Sequence, residues 1–246
     1  MPAVLTSPVL PDYDGPEGGV LRCVVAYNRH GGYCVPRAAM HRPCAQAILR
    51  GDAFEPETID LLRRLAAGGD VVHAGTFFGD MLPAVARACG PERIVWACEP
   101  NGESHRCAGV TVALNGLGNV RLHHAALGAS PGTGLLRVAD ATGRALGGRS
   151  SLVGTIDAAA GERGETVPVA RVDDLVPADR QVAIVHLDVE RHEQEALAGA
   201  LATIRRCRPA ILVETVPETT WIDEHLAPLG YAIAGRVGPN TLLVAG

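Results

Sequence analysis

Residues 71–80 read "VVHAGTFFGD": an apolar pair, a histidine, and then Gly75-Thr76-Phe77-Phe78-Gly79 ahead of an acid. β-Branched residues running into glycine, followed at once by the pattern MLPAVARAC (81–89), predict a strand that turns tightly into a helix. Glycines in such a turn let a ligand approach the backbone, and the helix start beyond them offers free N–H groups. The spacing is G-x-x-x-G, so the dinucleotide pattern G-x-G-x-x-G is absent, and a tight turn alone would also demand glycine.

Working outward from this turn, strand and helix patterns alternate. RIVWACEP (93–100) precedes ESHRCAGVTVAL (103–114), and VRLHHAAL (120–127) reads as one further strand. A Gly-rich polar interval, 128–166, is expected to carry outlying strands or a loop near the site, because a long structureless loop inside a compact domain is unusual. The rhythm then resumes with AIVHLDVE (183–190), one helix over 191–206, PAILVET (209–215), another helix, and a closing pair near 231–237 and 240–246. Such alternation predicts right-handed βαβ units and a parallel sheet.

Upstream, EPETIDLLRRLAAGGD (55–70) places Ile59, Leu62, Leu65 and Ala66 at helical spacing, with acids before them and Gly68-Gly69 behind. A short helix is expected at 42–50. VLRCVVAYNRHGGYCVP (20–36) reads as a hairpin turning through Asn28–Gly32, and residues 1–19, rich in Pro, Gly and Asp, read as an arm. The expected division is therefore an arm and hairpin or lid extension over 1–50 and an α/β domain over 51–246.

Composition narrows the chemistry. All 22 basic residues are arginine, and without lysine neither a Schiff-base enzyme nor a P-loop nucleotide hydrolase can be built. A net charge of -5 gives no broad basic surface, so a nucleic-acid partner is not expected. The seven cysteines contain no C-x-x-C pair, which fits free thiols in a reducing cytosol. No basic segment followed by an apolar core opens the chain, and no apolar run reaches membrane-spanning length. A cytoplasmic protein with no membrane partner is the expectation.

Glu99 closes the strand RIVWACE about 20 residues beyond the glycine turn, where nucleotide-binding α/β folds commonly place an acid on ribose hydroxyls. With Glu99, the blocks GDAFEPETIDLLRRL (51–65), CEPNGESHRCAGVTVALNGLGNVRLHHAALG (98–128), GRSSLV (148–153), ARVDDL (170–175) and IVHLDVERHEQEALAGALATIRRCRPAILVE (184–214) stand in a recognisable order. Over roughly 51–216 the chain resembles the FkbM-type S-adenosylmethionine-dependent methyltransferases. That resemblance implies a Rossmann-like, seven-stranded, mostly parallel sheet with helices on both faces, and S-adenosylmethionine as cofactor. It also implies that Gly75, Gly79, Glu99, Pro100 and Asn101 line the cofactor and that Ala125 and Ala126 lie near the adenine. Thr76, Phe77, His73 and Asp188 complete the cofactor candidates. Two positions depart from the family pattern: His73 stands where an acid is usual, and Arg191 where glycine is usual. A neutral His73 could accept a hydrogen bond from the methionine amino group, whereas a cationic ring would repel the sulfonium.

The stretch HLDVERHEQEAL (186–197) holds four carboxylates and two histidines. If the strand stays regular, His186, Asp188 and Glu190 share one face. Asp188 and Glu190 then lie at the carboxyl end of the strand, at the mouth of the site, and Glu214, ending PAILVE, faces the same mouth. Glu193 extends the apolar helical stripe inward and Glu195 falls off it. Carboxylates in a first helical turn also stabilise the helix dipole, an alternative role for Glu190 and Glu193. His192 belongs to the side-chain type that titrates near neutrality. Asp188, Glu190, His192 and Glu214 are thus the catalytic candidates for removing a proton from an alcohol nucleophile. Asp188, Glu190, Glu214 and a histidine could instead hold Mg²⁺, although nothing in the spacing demands a metal.

The acceptor is expected to be a small molecule, a sugar or specialised metabolite methylated on oxygen, entering past Asn28, Arg29, His30, Tyr33 and His41. The same residues would equally cover a sheet edge or join copies of the chain in a homo-oligomer. Two other readings stay open at this point. One is a metal-dependent hydrolase built on 186–192, and the other a non-catalytic nucleoside-binding protein.

Overall fold

The computed structural model describes residues 20–246; the expected arm at 1–19 lies outside the described residues. In chain order the elements are β1 (Cys23–Asn28), β2 (Gly31–Pro36), α1 (Pro43–Leu49), α2 (Pro56–Leu65), β3 (Asp70–Ala74), α3 (Leu82–Cys89), β4 (Val95–Cys98), α4 (Gly102–Leu114) and β5 (Val120–His123). They continue with β6 (Ala126–Leu127), β7 (Gly132–Ala139), β8 (Ser151–Val153), β9 (Arg163–Ala170), α5 (Val172–Leu175), β10 (Val182–Leu187), α6 (Glu193–Ala198) and α7 (Leu201–Cys207). The chain closes with β11 (Ala210–Val213), α8 (Thr219–His225), β12 (Tyr231–Val237) and β13 (Asn240–Ala245).

Seven strands form the central sheet in the order β12-β13-β11-β10-β3-β4-β5. Every pairing from β11 to β5 is parallel, and β13 alone runs against its neighbours. This is the expected Rossmann-like, mostly parallel sheet. Strand alternation decides which face each residue serves. Val71, Val95, Ile184 and Leu212 pack with Leu62 of α2 and Leu82 and Val85 of α3. Their sequence neighbours Val72, Val185, Ile211 and Val213 pack on the opposite side with Leu197 of α6 and Ile204 of α7. Both faces are therefore covered, which is why the parallel strands read as unbroken apolar runs.

The expected hairpin forms, with Asn28 paired to Gly31 across its turn. It shares a buried cluster with the domain: Tyr33, Cys34 and Val35 meet Phe77, Phe78 and Cys107 of α4. Backbone groups of β2 also bond to α4, Cys34 N donating to Thr111 Oγ1 at 3.0 Å and Gly32 N to the Asn115 side chain at 3.1 Å.

Three sequence expectations need correction. VRLHHAAL is two strands: the chain leaves the central sheet after His123, and β6 joins a second sheet of order β6-β9-β7-β8. The polar interval supplies the other three strands of that sheet, so it carries outlying strands. The helix expected over 191–206 breaks into α6 and α7 at Gly199. A Cβ there would lie 2.0 Å from the Gly128 carbonyl, so two backbones cross at van der Waals contact. The freed start of α7 is capped from a distance, Ala202 N and Thr203 N donating to Asp173 at 3.0 and 2.8 Å. Finally, β10 ends at Leu187 and does not run on to Glu190.

Gly75 sits at φ +81°, and a Cβ on it would fall 1.8 Å from the Asp188 carbonyl oxygen. Gly109, inside α4, has open space around the same position. Urea unfolding is expected to show Gly75→Ala destabilised by about 3 kcal/mol or more, since backbone must move. Gly109→Ala is expected to be stabilised by about 0.5–1 kcal/mol, because helical glycine is replaced without a clash.

Candidate active site

The turn after β3 and the end of β4 are tied together by one carboxylate. Glu99 is only 4% exposed. Its Oε2 accepts from Phe77 N at 2.6 Å and its Oε1 from Asn101 N at 2.8 Å. Gly75 takes φ +81° and Phe77 φ +51°, left-handed steps on either side of the amide that meets Glu99. Each carboxylate oxygen keeps acceptor capacity beyond its one backbone donor. Burial pushes the Glu99 carboxyl up to about 8, against the two backbone donors that favour its ionised form.

Beside Glu99 lies a narrow apolar slot of about 30 Å³, the room of a single water. Gly75, Glu99, Pro100, Ala125, Ala126, Asp188 and His192 line it, so most of the expected cofactor residues converge there. Leu136, Gly147, Gly148 and Leu152, from the second sheet and the turn before β8, close its far side. Thr76, Gly79 and Asn101 line neither this slot nor the larger cavity next to it. The Thr76 hydroxyl donates to His73 O at 3.2 Å. A Cβ on Gly79 would press on Leu82 and Thr111 at 3.2 Å. The Asn101 side chain caps α4 through Ser104 N at 2.9 Å and donates to Ser150 Oγ at 3.2 Å.

The larger cavity, about 860 Å³, adjoins the slot through the shared residues Gly75, Gly148 and Asp188. Asp188, Glu190 and Glu214 meet there, with one oxygen of each within 4.8 Å of the others. The backbone of Asp188 continues the strand ladder, its N–H donating to Ala74 O at 3.1 Å, and Glu214 N does the same to Leu187 O at 3.2 Å. Glu190 arrives differently from the regular alternation expected of it. Glu190 at φ +53° and Arg191 at φ +74° form a left-handed turn that brings the carboxylate back to Asp188. Arginine thus holds, at 191, a left-handed conformation that glycine would adopt without strain. Burial raises the Asp188 carboxyl well above its ordinary range, and the adjacent Glu214 raises it further. Burial and Glu214 also raise Glu190, while Arg149, Arg42 and Arg191 oppose them.

His73 and His186 stack with ring planes 5° apart, their Nδ1 atoms 2.9 Å from one another. One Nδ1 must donate and the other accept, which requires at least one neutral ring. Burial lowers His73 to about 4 and, with His73 beside it, lowers His186 well below its ordinary value. Both rings are therefore neutral at pH 7, and His73 presents no cation to a sulfonium. Its Nε2 is buried without a partner, on the wall of the larger cavity.

Glu193 is 1% exposed and turns back to accept from Val189 N at 3.2 Å, a cap on the turn that carries Glu190. His192, the residue before α6, stands 3.7 Å from Glu195 and lines the slot, away from the acidic trio. No histidine joins the trio as a fourth ligand within the same spacing among the described residues. The hairpin turn does not line the larger cavity. Asn28 instead accepts from Tyr33 and His30, and the Arg87 side chain binds the His30 carbonyl. Sequence reasoning missed Arg42, Glu55, Asp80 and Arg149, which do line the cavity. Only Arg149 carried a signal, as part of the GRSSLV block.

These burial effects set a pH dependence. The folded protein keeps a proton on Glu99 up to about 8 that the unfolded chain releases near 4.5, so its stability contribution is lost as pH rises through that range. His73 and His186 act oppositely, and only below about 6.5, where the unfolded chain takes up their protons. Between pH 6.5 and 8 the carboxyls act alone. The ligand-free protein is expected to lose about 1–2 kcal/mol over that window, a fall of a few degrees in Tm, and Glu99→Gln is expected to flatten the slope. A Tm that rises across the window would contradict the assignment.

Among the described residues no helix is long and apolar enough to cross a membrane. No curated protein sequence matches the chain. Among solved structures it is similar to the methyltransferase FkbM of Methylobacillus flagellatus KT, at 17% identity and TM-score 0.47, covering 71% of this chain and 42% of that one. The chain thus spans less than half the length of that protein. It is similar also to a methyltransferase of Geobacter sulfurreducens, at 18% identity and TM-score 0.44, covering 84% of this chain and 86% of the other. A third likeness is to the O-methyltransferase TomG of Streptomyces achromogenes, involved in tomaymycin synthesis and solved in complex with S-adenosylmethionine, at 15% identity and TM-score 0.45, covering 85% and 87%. Residues 73–231, which span the glycine turn, Glu99, the second sheet and the acidic trio, match the methyltransferase FkbM domain, and the chain belongs to that family.

Proposed function

We propose that the protein transfers a methyl group from S-adenosylmethionine to a hydroxyl oxygen of a sugar or specialised metabolite. The observation that carries this reading is the junction of the two cavities at Gly75 and Asp188, with Glu99 on one side and the acidic trio on the other. The donor set suits the cofactor. A buried carboxylate with spare acceptor capacity can take ribose hydroxyls, and Ala125, Ala126, Leu136 and Leu152 offer an apolar slot for the base. Neutral His73 leaves a lone pair or an N–H at Nε2 for the amino-acid end. When bound, the cofactor supplies an electrophilic methyl group on a sulfonium.

The chain's own residues do the rest. At about 30 Å³ the slot must widen to take the cofactor, and the turn at 147–150, packed on Phe77, forms one of its walls. Gly75 lets the ends of β3 and β10 close on each other, which sets the slot against the larger cavity. Burial and the adjacent Glu214 raise Asp188, so Asp188, or Glu190 beside it, can take the proton from an acceptor hydroxyl. Alignment and exclusion of water by the larger cavity supply the remainder. A divalent cation held by Asp188, Glu190 and Glu214 is the competing account of the same cluster, and would acidify the hydroxyl directly.

Calorimetric titration with S-adenosylmethionine and S-adenosylhomocysteine, with and without a chelator, separates these accounts. Both ligands are expected to bind in either condition. Glu99→Ala is expected to weaken S-adenosylhomocysteine about 10- to 100-fold, the cost of the hydrogen bonds lost to the ligand. Absence of heat with either ligand would sink the methyltransferase reading. With an accepting alcohol, Asp188→Asn is expected to lower kcat about 100-fold or more while cofactor affinity holds.

A further inference from the structure

The larger cavity carries a second charged group besides the acidic trio. Arg42 directly precedes α1, Arg149 lies in the turn before β8, and Arg191 lies in the turn after β10; all three line the cavity. Arg137, on the same cavity wall, is paired with Glu162 at 3.0 Å, and half-buried Arg171 and Arg180 are paired with Asp173 at 3.0 Å and Asp70 at 2.5 Å. Arg42 is half-buried, and Arg149 and Arg191 are exposed. No ion pair or hydrogen bond engages the guanidinium of Arg42, Arg149 or Arg191 among the described residues. Like charges are also gathered, since half-buried Arg42 lies in the field of Arg149 and Arg144, and Glu190 is the charge of opposite sign that Arg42, Arg149 and Arg191 share.

Arg191 adds an observation of a different kind. At φ +74° a β-carbon is strained, and glycine would relieve the strain. Backbone strain at an arginine that lines the site motivates a role for its side chain.

We propose that Arg42, Arg149 and Arg191 bind a phosphate or pyrophosphate group carried by the methyl acceptor. The inference rests on the reading of the larger cavity as the acceptor site. Three guanidinium groups brought from separate segments suit a tetrahedral, multiply charged anion, whereas a carboxylate is met by one planar fork. The cavity volume lies in the upper part of the range for ligand sites, room for a phosphorylated sugar or a sugar joined through pyrophosphate. Charge also orients the acceptor. Asp188, Glu190 and Glu214 repel the anion, so the phosphate goes to the arginines and the hydroxyl end to the carboxylates.

The test is calorimetric titration with sodium pyrophosphate at constant ionic strength, with acetate as a second probe, each in the absence and presence of S-adenosylhomocysteine. Pyrophosphate is expected to bind the wild-type protein and acetate not to. Arg42→Gln, Arg149→Gln and Arg191→Gly are each expected to weaken pyrophosphate about tenfold, and the triple variant to abolish it. S-adenosylhomocysteine affinity is expected to stay within twofold throughout, which shows that the variants fold. No pyrophosphate binding, undiminished binding in the triple variant, or acetate bound as tightly as pyrophosphate would each overturn the proposal. Arginine-dependent pyrophosphate binding without any S-adenosylhomocysteine binding would support the anion site and defeat the methyltransferase reading. Cofactor binding without pyrophosphate binding would do the reverse.

Discussion

Where β3 and β10 end, the chain at residue 75 has no β-carbon, and the carbonyl of Asp188 occupies the space that one would need. The Asp188 amide meanwhile bonds to Ala74, so the two strand ends are joined on one side and in contact on the other. The sheet order reverses at this pair of strands, with β4 and β5 on one flank and β11 on the other. Ligands in open α/β sheets lie at such a reversal, beyond the carboxyl ends of the strands. The contact at Gly75 therefore fixes where the slot beside Glu99 meets the acid-lined cavity, and both depend on it.

Charge is distributed unevenly around that contact. On the slot side a single buried carboxylate is held by two backbone donors, an arrangement already formed for hydrogen bonds from a ligand. On the cavity side three carboxylates crowd together, and burial with the neighbouring charge raises Asp188 and Glu190 above their ordinary range. The neutral histidine pair behind them adds no charge of its own. Such a site is poised to receive a proton and to tolerate a cationic sulfur, while its three open arginines give the outer part of the cavity the opposite sign. Low solvent access strengthens each of these interactions relative to water.

Much of this was legible in local pattern. Val71-Val72 before Gly75, the apolar run of 95–98 and the helical spacing of Ile59 and Leu62 each specify their element through burial on a known face. The hairpin followed from two β-prone runs flanking Asn28–Gly32, although its turn is Arg29-His30 and the glycines begin β2. Asp188 and Glu214 followed from their places at strand ends. What was not legible depends on contacts between distant segments. Nothing in VRLHHAAL says that His123 and Ala126 belong to different sheets, because both halves are equally apolar. The break at Gly199 is imposed by Gly128, some seventy residues earlier. Alternation placed Glu190 on the right face for the wrong reason, since a left-handed turn carries it there. Arg42 could not be found at all from sequence, being one arginine among many until the fold sets it beside Arg149.

A crystal structure of the protein with S-adenosylhomocysteine tests the central claim most directly. The account predicts ribose oxygens within hydrogen-bonding distance of Glu99, the base between Ala125 and Leu152, and the sulfur over Gly75, facing Asp188. A ligand bound elsewhere, with Glu99 still meeting only the amides of Phe77 and Asn101, would contradict it.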